Sequence, residues 1–441
     1  MSSRPRRPIW EKLFVTIALF VSTAALFPLL RTTGAAALPT TEGDPAIRRV
    51  WVLLYAITFF LLFKRRVNVA GVIVSNKLLF GTVAVAVAST AWSADPALTL
   101  RQASALVLTT LFGAYLATAY SQVELLSLVS WLLAGIVCAS VLFALLEPSY
   151  GLDPERGNAW RGVFTTKNEL GRMAAFAIAV WLLRAFIDRR DSLLSLGVVA
   201  VSTLTLLESS SSTGLLAVIA VIVVYALLPA LRTHASVAVP TAALFISGSF
   251  LAMVWLAAHP NAILSGVGAD TTLTGRTALW GVVWQMISIH PWLGWGYGAF
   301  WQGAAGPSAF VWSAAPWHPA HAHNGFLDVW LGIGLVGLVL FVGMLASAFV
   351  RAFLYLRLHA GPVALFPFIL VLFVSVYNLS ESTLFTQNTL FWILFVAVSV
   401  RLSQASPSLV RARPPRSRRK DSVSPARSYS VNPRGTHGIA P

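Results

Sequence analysis

A chain of 441 residues that is 57% hydrophobic and only 11% charged, with mean hydropathy +0.74, is not a soluble domain, which carries about 25% charged residues. Apolar runs of roughly twenty residues recur without short alternating segments, which excludes a β-barrel and defines an all-α polytopic membrane protein. The net charge of +16 is concentrated, since nine of the 32 Lys and Arg lie from Arg401 onward.

Twelve spans are expected, about Trp10–Leu30, Val50–Phe63, Val72–Trp92, Ala103–Ala119, Leu125–Leu146, Leu170–Ile187, Leu193–Leu207, Leu215–Leu231, Val237–Ala257, Phe326–Val350, Val363–Leu379 and Thr389–Leu402. The first follows Arg4, Arg6, Arg7 and Lys12 and precedes Ala35-Ala36-Ala37, like a secretory signal. Its apolar run is longer than a signal core, so an uncleaved helix is expected. Cys138, the only cysteine, lies inside an apolar run and is read as an inert thiol.

Two longer polar loops stand out, 147–168 and 258–323. With both termini cytoplasmic, fourteen Lys and Arg before the tail face the cytoplasm and nine face away, which is the expected bias. Both loops then lie on the non-cytoplasmic side. There Arg156, Arg161, Lys167 and Arg172 form a basic cluster against the rule. An anionic ligand explains it; so does pairing with Glu147, Asp153, Glu155 and Glu169. Thr166 or Asn168 is a candidate cap for the next helix, with Glu169 in its first turn. Free amides there, beside Arg161 and Lys167, suit a phosphate or diphosphate.

In the second loop, apolar residues recur at Trp280, Val283, Trp284 and Ile287, and Pro291 stops the run. The spacing predicts an amphipathic helix in the membrane interface, with Arg276 near its start. Seven of the sixteen tryptophans fall between Trp280 and Trp317. They are read as a belt in the headgroups or as stacking surfaces for sugars. Gly294-Trp295-Gly296-Tyr297-Gly298 has no βαβ unit around it, so it is a tight turn and not a dinucleotide loop.

The loop ends in His318-Pro319-Ala320-His321-Ala322-His323-Asn324. Imidazole is suited to moving protons near neutral pH. A metal is not expected, because no Cys or carboxylate beyond Asp328 lies at ligand spacing to join His321 and His323. Glu381, between the last two spans, faces the same side and is a candidate for orienting a histidine or holding an acceptor. The tail after Gln404 has too few apolar residues to fold alone. It is read as a disordered anchor on anionic lipid, with no fold to support nucleic-acid binding.

These motifs together resemble the O-antigen ligase and polymerase superfamily, which includes exopolysaccharide polymerases. His323-Asn324, nine residues, then Gly334-Leu335-Val336-Gly337 looks like the family's signature. Thr274-Gly275-Arg276 with Leu279-Trp280, followed by Pro291-Trp292-Leu293-Gly294-Trp295-Gly296, is similar to its arginine helix and Pro-x-x-Gly-x-Gly turn. Arg161-Gly162, Phe164 and Lys167-Asn168 look closer to exopolysaccharide polymerases. The resemblance covers about residues 150–400 and divides the chain into N-terminal helices (1–146), a family-like core (147–404) and the basic tail (405–441).

The resemblance implies a glycosyltransferase of the bacterial inner membrane, with a large periplasmic loop and cytoplasmic termini. It would join undecaprenyl-diphosphate-linked glycan to a sugar hydroxyl, without cofactor or metal and with inversion. The acceptor is a carrier-linked repeat in a polymerase and lipid A–core in a ligase; polymerase is favoured. His323 is the expected base, with His321 as neighbour or substitute. Arg161, Lys167 and Arg276 are expected on the diphosphate, and Asn324 and Glu381 on the acceptor or the histidine. Membrane lipid and a chain-length co-polymerase are the expected partners. A transporter or flippase is the reading from a different class, disfavoured because the span interiors are nearly free of charge.

Overall fold

The computed structural model describes residues 7–25, 45–188, 191–232, 272–315, 317–359 and 361–411. In chain order the helices are α1 (Ile9–Val21), α2 (Pro45–Lys64), α3 (Val69–Ser75), α4 (Lys77–Ala88), α5 (Pro96–Ala119), α6 (Gln122–Leu146) and α7 (Lys167–Ile187). They continue with α8 (Ser192–Glu208), α9 (Ser212–Arg232), α10 (Thr272–Ile289), α11 (Ala309–Ala314), α12 (Gly325–Leu358), α13 (Leu365–Asn378) and α14 (Leu390–Arg411). Strands are confined, among the described residues, to one ribbon in which Leu152 pairs with Trp160 and Asp153 with Ala159. This is an all-α polytopic membrane protein.

Six of these helices are long and apolar enough to cross a bilayer. The pair α3 and α4 is bent by 102° at Asn76, where the sequence predicts one continuous helix, and makes a seventh span only if the two count as one. The reason is local: the Asn76 side chain donates to the Val72 carbonyl instead of continuing the helix. The ninth expected span, the first part of the second loop and the tail from 412 lie outside the described residues. One core runs from Phe14 in α1 to Leu402 in α14, so the N-terminal helices pack into the same unit as the rest. Helix α7 is its axis, with Met173 through Trp181 buried without interruption. On α2, Val52, Leu53, Phe59, Phe60 and Phe63 are exposed, as a lipid-facing surface requires.

The bundle has two distinct ends. At one, Arg7 binds Glu124 at 2.7 Å, Arg351 reaches Asn76, and Arg401 donates to the carbonyls of Ala117 and Tyr120. At the other, the Tyr297 N–H donates to Ser89, Asn168 donates to Glu381, and Tyr377 donates to the Asn168 carbonyl.

Helix α12 is broken inside Gly334-Leu335-Val336-Gly337. Gly334 has φ +69° and ψ −174°, and the segment 291–296 docks into the break. Trp295 N–H donates to Leu331 O at 2.7 Å, Gly296 N–H to Gly332 O, and Leu335 N–H to Pro291 O. The backbone groups freed by the break are thereby satisfied. A Cβ on Gly334 would stand 2.1 Å from the Trp292 carbonyl oxygen. The 24 residues after the break rise about 36 Å at ~1.5 Å each, enough to span; the turns before it form a short helix carrying the loop's hydrogen bonds. Gly334→Ala should therefore cost more than ~2 kcal/mol, since the left-handed backbone alone costs a side chain about 1–2 kcal/mol. Thermal unfolding in detergent reads this, and an unchanged midpoint would mean the break is not fixed by this glycine.

Candidate active site at the loop face of the bundle

Helix α10 buries Leu279, Val283, Met286 and Ile287. The helical period is the expected one, but the buried stripe is shifted: Trp284 is exposed and Leu279 and Met286 take the inner face. This stripe packs with Phe300, Val311, Ala322 and Leu331 into a second, small core. The tryptophans hold that core together by hydrogen bonds. Trp280 Nε1 donates to Ala322 O, Trp295 to Met286 O, Trp312 to Pro319 O and Trp301 to Asp328. Four of the seven are thus internal struts, a use that composition does not reveal. Trp284 and Trp292 remain exposed for a membrane surface.

The struts fix the histidine turn. Asp328, in the first turn of α12, accepts from Ala322 N–H at 3.0 Å, from Trp301 Nε1 at 2.7 Å and from the Ser382 hydroxyl. Asn324 caps α12 by accepting from Phe326 and Leu327 N–H, and its Nδ2 donates to Leu379 O. Between them His323 sits at φ +49°, a conformation that costs a β-substituted residue about 1 kcal/mol or more. Its own N–H donates to His321 Nδ1 at 3.1 Å. The turn is held in a strained form by partners on both sides.

Glu381, which the sequence offers as a candidate for orienting a histidine or holding an acceptor, is the hub of the site. It is buried. Oε1 accepts from Arg276 Nη2 at 2.8 Å and from Asn168 Nδ2 at 3.0 Å. Oε2 lies 3.1 Å from His323 Nδ1 and 3.9 Å from His321 Nε2. Burial alone would raise the carboxyl pKa, but the His323 hydrogen bond and the charges of His323, His321 and Arg276 outweigh it and hold it down at about 2. A carboxylate only accepts, so His323 Nδ1 carries a proton, and it is in the neutral form of the ring that Nε2 keeps its lone pair. His321 differs: Nδ1 accepts from the backbone, so the neutral ring carries its proton on Nε2. Burial, helped by the nearby cations His323, Arg276 and Arg172 and opposed by Glu381, moves its pKa below the ordinary histidine range.

The structure therefore brings Asn168, Arg276, His321, His323 and Glu381 together. His318 is apart, stacked on Trp312 at 4.5 Å. Arg161 is apart as well: its Nε donates to Tyr150 O at 2.8 Å on the wall of the first loop. Lys167 is buried at the start of α7, whose cap is Thr166 in a capping box with Glu169. Arg156 has Asp153 as its acidic neighbour, at 3.9 Å.

Two residues have surroundings that sequence reasoning does not show. Arg172 looks like one more cation in the cluster, yet its Nε is buried without a hydrogen-bond partner and its guanidinium lies over Tyr377 and Phe391. Asn378, which accepts from Thr383 and Leu384 N–H, shapes the Glu381 turn. The rejection of a third metal ligand also needs correction. His321, His323 and Glu381 offer donor atoms within 4.8 Å of one another, from positions too distant in sequence for spacing to show. These are the residues that could hold a divalent ion; Arg276 on the same carboxylate opposes one electrostatically.

Residues 196–342 match the model of the O-antigen ligase family. That segment holds Arg276, both histidines and the α12 break, while Asn168 and Glu381 fold onto it from outside. A second similarity is to the exopolysaccharide production protein ExoQ of Rhizobium meliloti (strain 1021), 31% identical over 278 residues. It covers 58% of this chain and 61% of that protein, so the chain spans less than two thirds of its relative's length. Over part of its length, then, the chain is similar to O-antigen ligases and to an exopolysaccharide production protein.

Proposed function

We propose that this protein is a glycosyltransferase of the bacterial inner membrane, with both termini in the cytoplasm and the Glu381 hub at the periplasmic face. It takes glycan from an undecaprenyl-diphosphate carrier and joins it to a sugar hydroxyl of another carrier-linked repeat, extending an exopolysaccharide or O-antigen. The observation that carries this reading is the Glu381–His323 pair beside Arg276: a base with a free Nε2 next to cations suited to a departing diphosphate.

In the proposed step, the acceptor oxygen attacks the anomeric carbon and its proton moves to His323 Nε2. The bond from that carbon to the diphosphate oxygen breaks, and the electron pair leaves with the lipid diphosphate. A single displacement of this kind inverts the anomeric centre. Glu381 fixes the ring and stabilises the imidazolium. Arg276 uses one N–H on Glu381 and keeps others for the phosphate oxygens; Lys167 and Arg172 add positive charge where negative charge develops. Trp317, 5.2 Å from the His323 ring, offers a face to the acceptor sugar. A chain-length co-polymerase would act on this product.

A ligase is the second reading, favoured by the family model matched by residues 196–342; the name of the ExoQ relative favours polymer formation. The test is purified protein in nanodiscs with an undecaprenyl-diphosphate-linked repeat, with and without EDTA. A product ladder insensitive to EDTA supports the polymerase. Transfer only after lipid A–core is added makes it a ligase, and a ladder lost in EDTA and restored by a divalent ion transfers the role of His321, His323 and Glu381 to metal binding.

Arg172 gives a sharper check. Arg172→Gln should lower turnover about 100-fold, the scale of one lost charge-stabilising donor. Stability should change by less than ~1 kcal/mol, because the lost ring contacts are offset by removal of an unpaired buried donor. Normal turnover would remove Arg172 from the diphosphate site.

A further inference from the structure

At the end of the bundle away from His323, the bend between α3 and α4 opens a cavity of about 170 Å³. Its polar lining is Ser75, Asn76, Lys77, Ser347, Arg351 and Ser399. Lys77 begins α4, and the far end of that helix leads to Ser89, which meets the catalytic loop at Tyr297. The length of α4, 12 residues and about 18 Å, thus lies between the cavity and the Ser89–Tyr297 contact.

Its chemistry is one-sided. Arg351 Nη1 donates to Asn76 Oδ1 at 3.2 Å and Nη2 to the Ser75 carbonyl at 3.3 Å. Both acceptors are neutral, and among the described residues neither Arg351 nor Lys77 has a carboxylate partner. Asn76 precedes α4 without capping it: its side chain is committed to Val72, Ser403 and Arg351. The first-turn amides of α4 therefore have no side-chain acceptor. Ser399, 5% exposed, lines the cavity with a buried hydroxyl that finds no hydrogen-bond partner. Two cations, an uncapped helix start and an orphaned buried hydroxyl converge on a space with no anion of its own. Val74 and Leu78 flank it as exposed apolar side chains, so it opens toward lipid.

We propose that this cavity binds a phosphate group, supplied by an anionic phospholipid of the leaflet opposite the Glu381 site. Lys77 and Arg351 contact the phosphate oxygens, Ser399 donates its hydroxyl hydrogen, and the acyl chains leave past Val74 and Leu78. Basic pockets between helices hold such headgroups by the same physics. The proposal stands apart from the glycosyltransferase reading and needs no activity assay.

Native mass spectrometry of the detergent-solubilised full chain tests it, with dioleoylphosphatidylglycerol, dioleoylphosphatidylcholine and inorganic phosphate as separate probes. Retained phosphatidylglycerol, reduced about tenfold by Lys77→Gln and by Arg351→Gln, with little phosphatidylcholine, is the expected result. Phosphate retained in the same variant-sensitive way without phosphatidylglycerol would keep the anion site and overturn the lipid as its source. Equal retention of both lipids, or no loss in either variant, would overturn the site. Lys77 is exposed, so Lys77→Gln leaves the fold intact and decides the matter if Arg351→Gln folds poorly.

Discussion

His323→Ala should abolish glycan assembly, lowering the transfer rate by about 10²–10⁴ while the protein accumulates normally. The imidazole makes one side-chain bond, from Nδ1 to Glu381, and the turn that carries it is held by Asn324, Asp328 and the His321 ring. Alanine removes the ring and leaves the frame. His321→Ala should be milder, because its Nδ1 is occupied and its Nε2 carries a proton. Rates of single-turnover transfer, with expression checked in membranes, separate the two. If His321→Ala were the null variant and His323→Ala retained activity, the assignment of the base would be reversed.

Glu381→Ala should be damaging twice over. It leaves Arg276 buried without a counter-ion, which costs about 3–5 kcal/mol, and it frees the His323 ring. Glu381→Gln keeps an acceptor oxygen, so it should recover much of the stability and little of the activity. The double variant Glu381→Ala/Arg276→Ala should be more stable than Glu381→Ala alone, since no uncompensated charge remains. Additive losses in that cycle would show that the pair is not coupled. The acid limb follows with a definite sign. Glu381 is held down at about 2 in the folded protein against an ordinary glutamate value of 4.5, so its stabilisation is fully present above about pH 4.5. It is lost as pH falls through about 2, and that loss should be absent in Glu381→Gln.

The helices and the chemistry were legible in the sequence to different depths. Apolar run lengths revealed the all-α polytopic class, because a bilayer imposes a minimum length on any helix that crosses it. They could not give the bend at Asn76 or the break at Gly334, which depend on a side chain or loop arriving from elsewhere. The resemblance pointed to His323 and Arg276, and the loop reading placed Glu381 on their side. Its central role was hidden because a carboxylate becomes a hub only when Asn168, Arg276 and His323 close around it. Spacing likewise could not show that Arg161 Nε meets the Tyr150 carbonyl, or that the Arg172 guanidinium lies over Tyr377 and Phe391. Tryptophan counts showed an aromatic-rich loop, but not that four indoles serve as struts, since that depends on which carbonyls they meet.

The Glu381 hub also sets a timetable for the protein's birth. Its partners lie 58, 105 and 213 residues earlier in the chain, at His323, Arg276 and Asn168. Contacts so distant in sequence form late. While the ribosome is still making α13, His323 has no partner to orient it and Arg276 has no counter-ion. A half-made chain can occupy the membrane with most of its helices and still lack a working centre. Competence therefore arrives with the last hairpin, α13 to α14, whose insertion brings Glu381 to residues that have been waiting in the bilayer.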